Sequence, residues 1–237
     1  MNWFLIAILA PLLFAITMFI DKFLVNKYFK GGQGALVLYS CFIGLPIFIL
    51  IGLFNHSVFS IKPLTAILII LSSFLYVLYL FPYFAALKRA DTSSIAPLFQ
   101  TIPVFTYLFA FFLLHETLSL GQILASLLII FGSIGISLKW EGKSLKLNKN
   151  VLFLMLLVAI LISLNRLFFK FFALESNFWT TSFWEYMGFF IFGVLLMIFK
   201  KSYRKDFVDS IMGKSRQLCE QIALLTQKVE ADIISRI

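Results

Sequence analysis

The apolar residues of this chain fall into long runs separated by short polar stretches, not into the alternation of a half-buried strand. Seven runs stand out, at residues 3–20, 35–54, 64–87, 95–114, 118–138, 151–173 and 180–199. Each holds about 20 residues, which at ~1.5 Å per residue crosses the ~30 Å hydrocarbon layer of a bilayer. Backbone polar groups inside lipid are satisfied only within helices or closed barrels. Barrel strands would be ~10 residues of alternating polarity, and these runs are longer and continuous. The pattern predicts an all-α, polytopic membrane helix bundle with about seven transmembrane helices.

Composition agrees. Of the 237 residues, 61% are hydrophobic and 18% aromatic, more apolar surface than a soluble domain of this size can hide from water. The thirty Phe residues suit a lipid-facing surface. The net charge of +9 is gathered in the loops and the tail, which points to cytoplasmic loops and anionic lipid head groups and excludes a nucleic-acid partner. Cys41 and Cys219 form no disulfide or metal motif. The amino-terminal run lacks a basic leader and a small-residue cleavage site, so it reads as a span and not as a cleaved signal peptide.

The stretch 83–140 carries the clearest pattern. Two apolar runs are joined by His115-Glu116-Thr117; the first contains Pro97, Gln100, Thr101 and Pro103, the second Gly121, Gly132 and Gly135. With Ala86-Leu87, Ala96-Pro97, Pro103-Val104, Glu116, Leu118-Ser119, Gln122 and Gly132, it resembles the EamA family of the drug/metabolite transporter superfamily. The family's Gly-Glu-Arg turn is His-Glu-Thr in this chain, so its basic residue is absent. The resemblance implies ten helices in two inverted five-helix repeats, with a solute site between the halves near the bilayer midplane.

A search for that repeat gives an ordered match. Sliding the chain by 144 positions places Ala15-Ile16 on Ala159-Ile160, Asp21-Lys22 on Asn165-Arg166, Gly44 on Gly188 and Ile47-Phe48 on Ile191-Phe192. The counterpart of the third run, 208–231, is no membrane span. The chain therefore divides into a first five-helix repeat (1–140), a basic loop (141–150), two helices of a second, truncated repeat (151–199) and a basic tail (200–237). In the tail Ile211, Leu218, Ile222, Leu225, Val229 and Ile233 share one helical face. Such a helix could rest on the membrane, pack on itself, bind a partner, or be sequence never selected to fold. Lys and Arg crowd the loops after the odd-numbered runs, from Lys22 to Lys30, at Lys88 and Arg89, from Lys139 to Lys149 and from Lys200 to Lys205. That places those loops in the cytoplasm and the amino terminus outside, opposite to what the resemblance implies.

Polar groups inside the runs are the candidates for function. Glu185 would be a proton-coupling or cation-binding carboxylate; otherwise it pairs with Arg166 or Lys170, or stays wet near the interface. Asn165 and Arg166 would recognise an anionic solute, or Arg166 snorkels. Gln100 and Thr101, beside Pro103, would line a central cavity or pack helices. Asp21-Lys22 would cap the first helix. Glu116 would fix the hairpin between the fourth and fifth runs by accepting from backbone N–H groups. Gly132, with Ser133 and Gly135, would let helices approach closely. No Ser/His/Asp set, phosphate-binding Gly loop, metal cluster or cofactor motif is present, so an enzyme is not indicated. The sequence predicts a multi-pass protein of a bacterial-type cytoplasmic membrane that moves a small organic metabolite or drug by alternating access. The resemblance implies export. The alternatives are a truncated, non-transporting protein or partner-dependent scaffold, and a homodimer that rebuilds the two-fold arrangement.

Overall fold

The computed structural model describes residues 3–27, 34–115, 117, 119–137 and 149–210, and among these there is no strand. In chain order the helices are α1 (Trp3–Lys27), α2 (Gly34–Phe42), α3 (Gly44–Phe54), α4 (Pro63–Arg89), α5 (Thr92–Phe99), α6 (Ile102–Leu114), α7 (Leu120–Ser137), α8 (Lys149–Glu175) and α9 (Phe178–Phe199). A short 3-10 turn, His56–Phe59, precedes α4. The protein is thus an all-α membrane bundle. Among the described residues, five rods are long and apolar enough to cross a membrane: Gly34–Phe54, Pro63–Arg89, Thr92–Leu114, Lys149–Glu175 and Phe178–Phe199. The first and fifth runs are helical over 25 and 18 residues respectively.

Two runs that read as single helices are each built from two, and proline explains both breaks. A proline removes the N–H that would bond the carbonyl four residues earlier. Pro46 withholds its donor from Phe42, where α2 ends. Pro103 withholds its donor from Phe99, where α5 ends, leaving Gln100 and Thr101 in a turn. Thr101 closes that turn by donating from Oγ1 to the Leu98 carbonyl at 2.6 Å. At the far end of α6, His115 adopts the left-handed conformation (φ 52°) and its N–H reaches the Ala110 carbonyl, a helix stop usually made by glycine.

α4 is the centre of the bundle. It packs along α8 on one side and α9 on another, while α3 covers α9 and α6 covers α8. Val77, Leu80, Phe84 and Leu87 of α4 and Val151, Met155, Val158 and Ala159 of α8 belong to one buried cluster. The outward side chains are large and apolar, among them Leu53, Phe112, Leu128, Phe153 and Phe199, as a lipid-facing surface requires. Lipid is as apolar as leucine, so close packing and small residues, not water exclusion, hold such helices together.

Close approach is made by glycines other than the one singled out in the sequence. A Cβ at Gly44 would lie 2.9 Å from the Tyr186 backbone oxygen, and one at Gly193 would lie 2.7 Å from Cys41 Cβ. A Cβ on Gly188 would collide with Ser73 of α4. Among the described residues, Gly132 meets nothing within 4 Å, and neither does Gly121. The expectation of tight helix packing at Gly132 is therefore corrected: that role belongs to the α2/α3–α9 and α4–α9 contacts.

Residues 201–210 continue as a helix that folds back on the bundle. Tyr39 Oη and Ser210 Oγ lie 3.1 Å apart, and the Phe207 ring packs on Tyr39 at 4.7 Å and on Phe42 at 5.4 Å. The amphipathic pattern predicted farther along the tail, from Ile211 on, lies outside the described residues.

Substituting Gly44 by Ala is expected to destabilise the purified protein by ~1–3 kcal/mol, because backbone must shift to admit the methyl group. Gly132→Ala is expected to leave stability within about 0.5 kcal/mol. Thermal unfolding of both variants in one detergent separates the two cases.

Candidate functional site

Polar side chains inside the bundle are joined across helices. Near the middle of α8, the Asn165 side-chain amide donates to Glu185 Oε1 of α9 at 3.0 Å. Asn165 is buried and Glu185 half-buried. The hydrogen-bond partner of the carboxyl is thus a neutral amide. Arg166 and Lys170 lie on the exposed side of α8. One residue of a helix turns the side chain by about 100°, so Asn165 and Arg166 cannot share a face. The pairing of Glu185 with Arg166 or Lys170 that the sequence allowed is thus replaced by pairing with Asn165.

Aromatic rings surround this pair. The Tyr76 ring of α4 stacks on Phe189 at 4.1 Å with an interplanar angle of 24°, and Tyr186 meets Phe189 edge-on at 5.5 Å. Tyr76 and Tyr79 of α4 are half-buried, as Glu185 is. Beside them, Trp184 donates from Nε1 to the Val58 carbonyl at 3.0 Å, tying α9 to the 3-10 turn.

A second polar junction joins α1 to α4. Tyr83 Oη donates to Asp21 Oδ2 at 2.9 Å. Lys22 Nζ donates to the carbonyls of Leu87 at 2.6 Å and Ala90 at 2.7 Å. Lys22 therefore caps the carboxyl end of α4, where unpaired carbonyls and the helix dipole attract a cation. The expectation that Asp21-Lys22 caps its own helix is corrected: α1 runs on past the pair to Lys27, and both side chains find their partners at the α4 end.

A third junction lies between α6 and α8. Ser163 Oγ donates to the Ile102 carbonyl at 3.0 Å, and Thr106 Oγ1 donates to the same oxygen at 2.9 Å. Gln100 and Thr101, at the break before α6, are half-buried. They sit on the rod that packs against α8, whereas Glu185 sits on α9, which packs mainly against α4 and α3. Pro97 lies within α5 and Pro103 opens α6. Glu116 lies outside the described residues.

A family model described as the EamA-like transporter family matches residues 1–138, more than half of the 237. The chain belongs to that family. This makes it a multi-pass membrane protein of a family of small-solute transporters of the drug/metabolite type. The match spans α1 to α7, while Asn165 and Glu185 stand on the two helices after it. No curated protein and no solved structure matches the chain.

Sequence reasoning finds Asn165 and Glu185 but not the aromatic face opposite them. Tyr76, Tyr79 and Tyr83 recur at helical spacing within one apolar run, a signal that could have found it. The Lys22 cap has no such signal, since its partners are 65 and 68 residues away.

Replacing Lys22 by Met keeps the length of the side chain and removes the cation. The two carbonyls lose a charged donor, and the variant is expected to unfold ~1.5–3 kcal/mol more easily. Thermal unfolding in detergent checks this, with Arg166→Met as the exposed control that should change stability by less than about 0.5 kcal/mol.

Proposed function

We propose that the protein exports a small organic solute across a bacterial-type cytoplasmic membrane by alternating access, with Glu185 as the proton-coupling carboxyl. The observation that carries this reading is the Asn165–Glu185 pair. A carboxyl inside the bundle that meets a neutral amide can exist with or without its proton, whereas one locked to Arg or Lys stays ionised. Asn165 accommodates both states, because its amide donates to the ionised form and its own carbonyl can accept from the protonated form. The half-buried rings of Tyr76 and Tyr186, backed by the buried Phe189, offer apolar surface to a solute near that carboxyl.

Gln100 and Thr101 belong to the same reading as lining of the path, on a rod whose break leaves carbonyls and side chains for a solute to meet. Arg166, exposed on α8, is not part of the proposed solute site. The division into a first unit, residues 1–140, and a second unit begun at 151–199 supplies the two bodies that alternating access requires. In support, α3 packs against α9, its counterpart in the proposed repeat, with Gly44 at the contact.

The experiment uses purified protein in sealed vesicles loaded with a labelled mixture of amino acids and amines, under an imposed pH gradient. Wild-type protein is expected to release at least one component in a gradient-dependent way. Glu185→Gln, which keeps the bond to Asn165, is expected to lose the gradient dependence by ~10²-fold or more. Release by Glu185→Gln at the wild-type rate and with the wild-type pH dependence would remove Glu185 from the mechanism.

A further inference from the structure

Three tyrosine hydroxyls on one face of α4 lie between Glu185 and Asp21. Tyr76, Tyr79 and Tyr83 are three and four residues apart, the spacing that aligns side chains along a helix. Together they span about 10 Å of the helix axis. Their rings form a file, with Tyr76 and Tyr79 centroids 4.9 Å apart and Tyr79 and Tyr83 centroids 6.3 Å apart. The Tyr76 and Tyr79 rings meet edge to face, at 86°. At one end Tyr76 stacks on Phe189, one turn of α9 from Glu185; at the other Tyr83 donates to Asp21 at 2.9 Å.

Phenylalanine, which this chain uses thirty times, would fill the same volume without hydroxyls to desolvate. Hydroxyls are what a proton needs, since each is both donor and acceptor. Asp21 lies toward the end of the bundle that carries Lys88, Arg89, Lys200 and Lys201. Near Glu185 stand Asn165 from α8, which donates to it, Tyr76 from α4 and Tyr186 from its own helix. Near Asp21 stand Tyr79 and Tyr83, of which Tyr83 donates to it, and the neighbouring ammonium of Lys22 is engaged by the Leu87 and Ala90 carbonyls.

We propose that Tyr76, Tyr79 and Tyr83 form the path by which Glu185 exchanges protons with water at the Lys-rich end of the molecule, through Asp21. This rests on the reading of Glu185 as an exchanging carboxyl. In the outward step the Glu185 carboxyl gives its proton to the Tyr76 oxygen as Tyr76 passes its own proton to Tyr79. Tyr79 hands one on to Tyr83, across the 6.3 Å ring gap by way of one bridging water. The Tyr83 proton then goes to the Asp21 carboxylate, along the hydrogen bond already made. The net change is one proton moved from Glu185 to Asp21; every tyrosine ends neutral, and rotation of the hydroxyls resets the file. The reverse order reloads Glu185.

The test needs no solute. Protein in lipid is subjected to a pH jump while the carboxyl carbonyl stretch is followed by time-resolved infrared absorption, and the Glu185 band is identified by its loss in Glu185→Gln. The relay predicts that Tyr83→Phe, Tyr76→Phe and Asp21→Asn each slow the rise of that band by about 10²-fold. The final extent of protonation should stay near that of the wild type, and Tyr107→Phe on α6 should change neither. A purely structural role would shift the extent and leave the rate unchanged. Any one relay variant that keeps its wild-type unfolding temperature suffices. A Glu185 band that rises at the wild-type rate in that variant overturns the relay and leaves the carboxyl's role standing. If no band is lost in Glu185→Gln, the carboxyl does not exchange, and both readings fall.

Discussion

No water waits inside a bilayer to satisfy a polar group, and that constraint sets the arrangement of this bundle. Among the described residues, no buried side-chain nitrogen or oxygen lacks a hydrogen-bond partner. The partners that matter lie on other helices. Asp21 and Lys22 reach α4, Ser163 reaches the Ile102 carbonyl on α6, Trp184 reaches Val58 and Asn165 reaches Glu185. An unpaired group in their place would cost several kcal/mol. Each junction therefore fixes the register of two rods more firmly than contacts between aliphatic side chains, which lipid can imitate.

The two kinds of contact divide the labour. Aliphatic packing between α4 and α8 and glycine contacts between α9 and its neighbours bring the rods together. The polar junctions decide which faces meet. α4 is central to the packing and takes part in the Asp21–Lys22 junction, while the other junctions tie α8 to α6, α8 to α9 and α9 to the 3-10 turn. Belonging to a transporter family makes sense of that arrangement: a solute path needs polar groups inside lipid, and those groups must be stabilised from within while they wait for a solute or a proton.

Much of this is legible in the chain. Seven apolar runs mark the rods, because length and continuity of hydrophobicity leave little choice inside a membrane. Two prolines mark breaks: the missing donors of Pro46 and Pro103 place them near Phe42 and Phe99 once the four-residue reach is counted, whereas Pro82 lies within the unbroken α4. Pairing is harder to read. Glu185 stands out as costly to bury, but its partner is Asn165 and not the adjacent Arg166, a choice made by the 100° step of a helix. Glycine roles escape the sequence for a similar reason. A glycine in a run says that close approach is possible, while the neighbour that approaches is set by tertiary packing, so Gly44, Gly188 and Gly193 serve and Gly132 does not.

The central claim is that Asn165 and Glu185 act as one unit inside the bundle, coupled amide to carboxyl. A double-mutant cycle tests it most directly, by comparing thermal unfolding of Asn165→Ala, Glu185→Ala and the double variant in one lipid mixture. Removing either partner orphans the other, so the double variant should lose much less stability than the sum of the singles, with a coupling of about 0.5–3 kcal/mol. Strict additivity within about 0.3 kcal/mol would show that the two side chains do not depend on each other, and would contradict their coupling.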